Sequence, residues 1–129
     1  MKRPLAVMMT REIKTIDPNA SLYDAAKIMR DKRVGALFVE EAGNYIGVIS
    51  ETDLVRRGMA EDKNLRLEKV RAIMSSPIIS IDIDRPASDA SDLMSEKGTR
   101  HLAVTDSGKI VGLISVRDLL RYFKNWGAF

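Results

Sequence analysis

The sequence predicts an α+β fold built from two β-α-β-β-α repeats. The first observation is an internal repeat: shifted by 65 residues, Met9–Gly58 aligns with Met74–Phe123 without a gap, and 17 of the 50 pairs are identical. About three identities are expected by chance from typical residue frequencies. The second observation is that both halves alternate short β-branched runs with apolar residues at helical spacing. Each half is therefore one supersecondary unit that needs the other to complete a core.

The elements are predicted at matching places in the two halves. A short strand at 13–16 or 78–81 leads through a turn to a helix that starts near Ser21 or Ala87. Two strands joined by a glycine-bearing turn follow, at 36–39 and 45–50 in the first half, and at 102–104 and 110–115 in the second. A last helix begins near Asp53 or Asp118, where Ser50 or Ser115 is a candidate cap.

Length and composition bound the possible classes of protein. The 129 residues suffice for one compact module, which we divide at the repeats into residues 1–62 and 63–129, with 60–69 as a polar connector. The net charge is only +3, and acidic and basic residues are interspersed, so a dedicated nucleic-acid surface is not indicated. No apolar run reaches the length of a transmembrane helix. The chain has no cysteine, which favours a reducing cytoplasm and excludes thiolate metal sites.

The pattern Gly-x-Ile-Ser-x-x-Asp-Leu occurs in both halves, at 47–54 and 112–119, where a strand meets a helix. A helix N-terminus presents unpaired N–H groups and a partial positive charge, which suit a phosphate. A serine there can donate to a phosphate oxygen, and an aspartate three residues later can accept two hydrogen bonds from a ribose diol. The alternative is that serine and aspartate only cap the helix.

This duplicated pattern, preceded each time by a β-α-β unit, resembles the CBS domain family over about residues 7–123. The resemblance implies two repeats related by a pseudo-twofold axis and packed through their sheets. It also implies two clefts between the repeats that take AMP, ADP, ATP, S-adenosylmethionine or a relative. In such proteins the aspartate binds ribose, a nearby serine or threonine helps to bind phosphate, and the opposite repeat holds the adenine.

Carried over to this chain, the resemblance implies a main cleft and a second cleft. The residues expected in the main cleft are Thr10, Ile13, Val34, Ala36, Arg100, His101, Ser115, Arg117 and Asp118. The residues expected in the second cleft are Ser50, Thr52, Asp53, Ser75, Ile78, Thr99 and His101.

The two clefts are not expected to be equivalent. The second strand of the second repeat opens with Arg100-His101, whereas the first repeat has Gly35-Ala36. A guanidinium can grip a phosphate through two parallel hydrogen bonds, which Gly35 cannot do. The alternative for His101 is a partly buried histidine with a structural role. We expect the Asp118 cleft to be the tighter site.

The sequence shows no catalytic set, because it lacks cysteine, a metal-ligand cluster around its single histidine, and a phosphate-loop or nucleophile-elbow motif. The lack of such a set favours a non-catalytic module that needs no cofactor. The resemblance implies that this module is regulatory, binds an adenine nucleotide or a related adenosyl ligand such as S-adenosylmethionine, and acts on an unknown effector protein. The alternative is an interaction or nucleic-acid-binding module without a small-molecule ligand. A homodimer is expected from the resemblance and from an apolar C-terminal stripe: Leu119, Leu120, Tyr122, Phe123 and Trp126.

Overall fold

The computed structural model describes residues 3–126, and the side chains of residues 3–125. It confirms the α+β class, with the β-α-β-β-α order in each repeat. The elements of the first half are α1 (Pro4–Met8), β1 (Thr15–Ile16), α2 (Leu22–Lys32), β2 (Ala36–Glu41), β3 (Asn44–Ser50) and α3 (Glu51–Asp53), which continues as a π-helix (Leu54–Met59). Those of the second half are α4 (Val70–Ile73), β4 (Ser80–Asp82), α5 (Ala87–Lys97), β5 (His101–Asp106), β6 (Lys109–Ser115) and α6 (Val116–Trp126).

The chain forms two compact units, and they do not coincide with the two sequence repeats. The Asp53 unit is Lys14–Ile78, and the Asp118 unit combines Met1–Ile13 with Ile79–Phe129. The predicted boundary between residues 62 and 63 follows the sequence repeats. In the structure, the residues that precede the first strand of each repeat belong to the compact unit of the other repeat. Helix α1 contributes Leu5 to the core of the Asp118 unit, and α4 contributes Val70 and Ile73 to the core of the Asp53 unit. Neither short helix was predicted, because five and four residues are too few to show a period.

Each unit contains a three-stranded sheet of the same topology. In the Asp53 unit β1 runs parallel to β2, and β2 pairs antiparallel with β3; β4, β5 and β6 repeat this order in the Asp118 unit. A register shift follows Val39 in one sheet and Val104 in the other, which are aligned positions. The bulge is therefore part of the duplicated unit.

The first strand of each repeat is shorter than predicted and begins later. Ile13 and Ile78 lie before β1 and β4, so the strands predicted at 13–16 and 78–81 were partly wrong. The residues upstream pair elsewhere, because Thr10 bridges antiparallel to Leu113 of β6, and Ser75 bridges antiparallel to Val48 of β3. Each of these segments therefore pairs with the last strand of one sheet just before the chain enters the first strand of the other sheet.

Apolar side chains of the helices and sheet form one core in each unit. Ala25 and Met29 of α2 are buried with Leu37, Val39 and Ile49. The Asp118 unit buries the aligned Ala90 and Met94 of α5 with Leu102, Val104 and Ile114. The helical spacing of Ala25 and Met29 predicted this buried helix face.

The helix after β3 departs from the regular α-helix that was predicted. Its backbone makes i→i+5 hydrogen bonds, from Ala60 to Val55 at 2.8 Å and from Lys63 to Gly58 at 3.0 Å. Helix α6, at the aligned position, is α-helical over eleven residues. In that helix Leu119 is buried, Leu120 is 53% exposed, and Tyr122 and Phe123 pack against the core. The Trp126 side chain lies outside the described part.

Candidate functional site

The duplicated Ser-x-x-Asp motif forms the same capping box at both strand-to-helix junctions. In the Asp53 unit, Asp53 Oδ2 accepts from the Ser50 backbone N–H at 2.9 Å and from the Ser50 hydroxyl at 3.1 Å, while the Asp53 N–H donates to Ser50 Oγ at 3.2 Å. In the Asp118 unit the corresponding distances to Ser115 are 2.9, 3.0 and 3.2 Å. The structural role that was the alternative for these residues is therefore present in both copies.

The glycine that opens each motif allows another segment to cross the strand closely. A Cβ atom at Gly112 would lie 2.6 Å from the Met9 sulfur and 3.0 Å from the Thr10 carbonyl oxygen. A Cβ atom at Gly47 would lie 2.9 Å from both the Met74 sulfur and the Ser75 carbonyl oxygen. The first crossing places Thr10 beside the strand that ends at Ser115. The second places Ser75 beside the strand that ends at Ser50.

Asp53 is closed in by its own unit. It is the one buried charged residue in the described part of the chain, at 8% exposure. The Ser75 hydroxyl donates to its carboxylate, at 3.2 Å from Oδ1 and 3.4 Å from Oδ2. Arg57, one turn further along the helix, places a guanidinium nitrogen 3.7 Å from Oδ1. Both oxygens of this carboxylate therefore have partners within the protein.

Asp118 has the same cap but fewer partners. Its Oδ2 is bound to Ser115, whereas its Oδ1 has no hydrogen-bond donor among residues 3–125. The residue is partly exposed rather than buried. Thr10, which aligns with Ser75, bonds to Leu113 through its backbone alone within that range, and Tyr122 stands where the other unit has Arg57. One carboxylate oxygen of Asp118 is therefore available to a ligand.

Arg100 and His101 flank the Ser115 junction within the same unit. His101 opens β5 and is the direct register partner of Ser115. The Arg100 carbonyl accepts from the Val116 N–H at 3.0 Å, and its exposed guanidinium makes no ion pair within the described residues. Thr99 supports the strand start, since its hydroxyl donates to the His101 carbonyl at 3.1 Å. At the other junction Ala36 is the partner of Ser50, and the Gly35 carbonyl accepts from the Glu51 N–H.

The Asp118 unit contains most of the residues predicted for the main cleft: Thr10, Ile13, Arg100, His101, Ser115, Arg117 and Asp118. The Asp53 unit contains those predicted for the second cleft apart from two: Ser50, Thr52, Asp53, Ser75 and Ile78. Val34 and Ala36 lie in the Asp53 unit, and Thr99 and His101 lie in the Asp118 unit. Their contribution across the repeats stays a prediction.

Two contacts of Asp53 were not predicted from the sequence. Ser75 was predicted as a contact for the adenine base, but it bonds to a carboxylate 22 residues away in the chain. Arg57 was not assigned a role, although its i,i+4 spacing from Asp53 was a readable signal. Nothing in the sequence signals the Ser75 contact.

Other classes of site find no support in the part that is described. Residues 3–125 contain no group of three or more His, Cys, Asp or Glu side chains placed to hold a metal ion. Across the described residues, no helix is both long and apolar enough to span a bilayer.

Comparison with known proteins identifies the repeat. The family model of the CBS domain matches twice, at residues 5–60 and 70–125. The CBS domain-containing protein YhcV of Bacillus subtilis is 31% identical over 111 residues, which cover 86% of this chain and 79% of YhcV.

Solved structures share the fold over nearly the whole chain. An uncharacterized conserved protein from Pyrococcus horikoshii is 30% identical, with a TM-score of 0.86 and coverage of 94% of this chain and 92% of its own. A hexameric CBS-CP12 protein from bloom-forming cyanobacteria is 28% identical, with a TM-score of 0.80 and coverage of 88% and 67%. Three other curated relatives are matched over 30%, 73% and 58% of their length, so some relatives extend well beyond this module.

Proposed function

Because the chain belongs to the CBS domain family and contains a pair of its domains, we propose that it is a regulatory sensor of an adenine nucleotide or a related adenosyl compound such as S-adenosylmethionine. In this proposal the module binds its ligand without transforming it, and the bound state is read by a separate effector protein. The reducing cytoplasm is the proposed compartment, since the chain has no cysteine.

The observation that carries the proposal is the available oxygen of Asp118. Its Oδ2 is bound to Ser115, while Oδ1 has no donor in the described part of the chain. A carboxylate accepts hydrogen bonds only, so its natural partners are hydroxyl or N–H donors. A ribose diol supplies two hydroxyl groups on adjacent carbons, which matches one carboxylate.

Charges around Asp118 favour a ligand that also carries phosphate. Helix α6 begins at Val116, and the positive end of its dipole lies at the junction. The exposed Arg100 and Arg117 belong to the same unit, and hydrogen bonds from guanidinium to phosphate are charge-assisted. The proposed ligand therefore places its ribose on Asp118 and its phosphate toward these cationic groups.

Thermal unfolding with added ligand tests the proposal. A ligand that binds only the folded chain stabilises it by about 2.7 kcal/mol at a hundredfold excess over Kd. We expect at least one of AMP, ADP, ATP and S-adenosylmethionine at millimolar concentration to raise the melting temperature, and inosine monophosphate to have less effect. If all four leave the melting temperature unchanged, the sensor proposal is wrong. Salt-sensitive retention on a nucleic-acid column without any nucleotide effect would then support the alternative module.

We also propose a homodimer, on the basis of exposed apolar surface. In the Asp53 unit, Val55 and Met59 are 55% and 61% exposed and border an apolar groove of about 290 Å³. In the Asp118 unit, Leu120, which aligns with Val55, is 53% exposed. An exposed apolar groove such as the one in the Asp53 unit is typical of an interface. Light scattering should give about twice the 14.4 kDa chain mass, and Met59→Glu should shift the mass toward the monomer. A monomer at micromolar concentration would contradict the dimer.

A further inference from the structure

The two aspartates of the duplicated motif differ in what covers their carboxylates. Ser75 donates its hydroxyl to Asp53 at 3.2 Å from Oδ1, and Arg57 approaches the same oxygen at 3.7 Å. The Oδ1 atom of Asp118 has no such donor within the described residues. The capping contacts of the two aspartates agree within 0.1 Å, so the difference lies beyond the cap.

We propose that Ser75 acts as an internal lock on the Asp53 carboxylate and makes that copy of the motif unavailable to a ribose diol. The inference rests on the proposed function, since it concerns which of the two copies takes the ligand. In this view Ser75 is a specificity-determining residue that sets the number of ligands per chain. The family resemblance predicted that Ser75 contacts the adenine base. In this proposal Ser75 instead binds the Asp53 carboxylate and closes it to the ligand.

The physical argument begins with the burial of Asp53. A buried carboxylate is costly unless partners satisfy it, and here Ser50 and Ser75 donate hydrogen bonds while Arg57 forms an ion pair. A diol would have to displace the Ser75 hydroxyl to reach Oδ1. It would then exchange one hydroxyl donor for another, so that the net gain in binding would be small.

The aligned residue in the other unit does not impose the same closure. Thr10 carries a hydroxyl as Ser75 does, and its backbone bridges to the neighbouring strand in the same way. Its hydroxyl makes no hydrogen bond to Asp118 in the described part of the chain, and Asp118 stays partly exposed. The lock is therefore a property of one copy and not of the duplicated sequence pattern.

The test is calorimetric titration of the full chain with AMP and with 2′,3′-dideoxyadenosine monophosphate, which lacks the diol. We expect the wild type to bind one AMP per chain and to bind the dideoxy analogue about tenfold more weakly. Ser75→Ala should gain a second AMP site with the same preference for the diol. Adding Asp53→Asn to Ser75→Ala should remove the gained site and leave the first.

Matched variants separate the lock from general damage. Ser76→Ala changes the neighbouring exposed serine, which makes no hydrogen bond in the described part, and should bind as the wild type does. Ser75→Cys keeps the side-chain size with a weaker donor, and should gain a weaker second site. If Ser75→Ala does not fold, as judged by its melting curve, Ser75→Cys decides the question.

Each other outcome overturns the lock in a different way. If the wild type binds one AMP through Asp118 and Ser75→Ala or Ser75→Cys gains no second site, the lock is wrong and the proposed function stands. If the wild type already binds two AMP per chain with Asp53 required for one of them, the Asp53 copy is open. Weaker AMP binding by Ser75→Ala would make Ser75 a ligand contact. If neither the wild type nor the Ser75 variants bind AMP, ADP, ATP or S-adenosylmethionine, both the lock and the nucleotide site are wrong.

Discussion

The Asp53 and Asp118 junctions carry the same eight-residue pattern, and their capping boxes have nearly the same distances. Beyond the cap they diverge. Asp53 is 8% exposed, and both Ser75 and Arg57 lie next to its Oδ1 atom. Asp118 is partly exposed, and its Oδ1 atom has no donor in the described part of the chain. A duplicated motif thus preserves a structural role in both copies, while residues outside the motif decide which carboxylate oxygens are already occupied within the protein.

The same comparison extends to the charges around each junction. Beside Ser115, the chain supplies Arg100 and Arg117, and neither forms an ion pair in the described part. Beside Ser50, the aligned residues are Gly35 and Thr52, and the nearby Arg57 faces Asp53. The Asp118 unit therefore offers both an acceptor for a diol and donors for an anion, while in the Asp53 unit the Asp53 carboxylate is already paired with Ser75 and Arg57.

The largest expected difference is in nucleotide affinity. Asp118→Asn should weaken AMP binding about 100-fold, because hydrogen bonds to a charged acceptor contribute about 1.5–3 kcal/mol each. Asp53→Asn should change it less than about threefold, since its carboxylate is occupied by Ser75. Calorimetry on both variants measures the two values. Equal losses would show that the two junctions bind alike.

For the free energy of unfolding, replacing Asp53 should have the larger effect and replacing Asp118 the smaller one, which reverses the order expected for AMP affinity. Asp53→Ala should lower the free energy of unfolding by about 2–3 kcal/mol, because it leaves the Ser75 hydroxyl and the Ser50 N–H without their acceptor. Asp118→Ala removes only the cap and should cost about 1 kcal/mol. Urea unfolding of the ligand-free variants measures this. A larger loss from Asp118→Ala than from Asp53→Ala would contradict the difference in burial.

A smaller effect is expected from Arg100, and it depends on the ligand. Arg100→Ala should weaken AMP about tenfold and adenosine less than about twofold, because only AMP carries the phosphate that a guanidinium would bind. Calorimetric titration of this variant with both compounds gives the two ratios. Lys109→Ala, in the same unit but at the first residue of β6, serves as a control for loss of charge. Equal weakening of AMP and adenosine would assign Arg100 a structural role.

The smallest effect should be the same in both units. Ser50→Ala and Ser115→Ala each remove one capping hydroxyl and should each cost about 1 kcal/mol of stability. Chemical unfolding of the two variants side by side compares the caps directly. A difference above about 1 kcal/mol between them would mean that the caps themselves differ, and that Ser75 alone does not account for the asymmetry.

The sequence by itself determined the features that depend on local pattern. The 65-residue repeat, the helices after Ser21 and Pro86, the paired strands and the capping serines were all predicted, and the structure confirms them. Periodicity and turn chemistry act over a few residues, so they can be read without a fold. The candidate ligand residues came from the family resemblance, and their joint role stays a prediction.

Only the tertiary structure decided which segments accompany each motif. Helix α1 belongs with the second repeat, Thr10 bridges to Leu113 from the far end of the chain, and Ser75 reaches Asp53 across 22 residues. Such contacts result from the packing of many side chains at once, and no local period specifies them. That packing leaves one oxygen of Asp118 available and occupies both oxygens of Asp53, although the two aspartates hold the same position in the repeated motif.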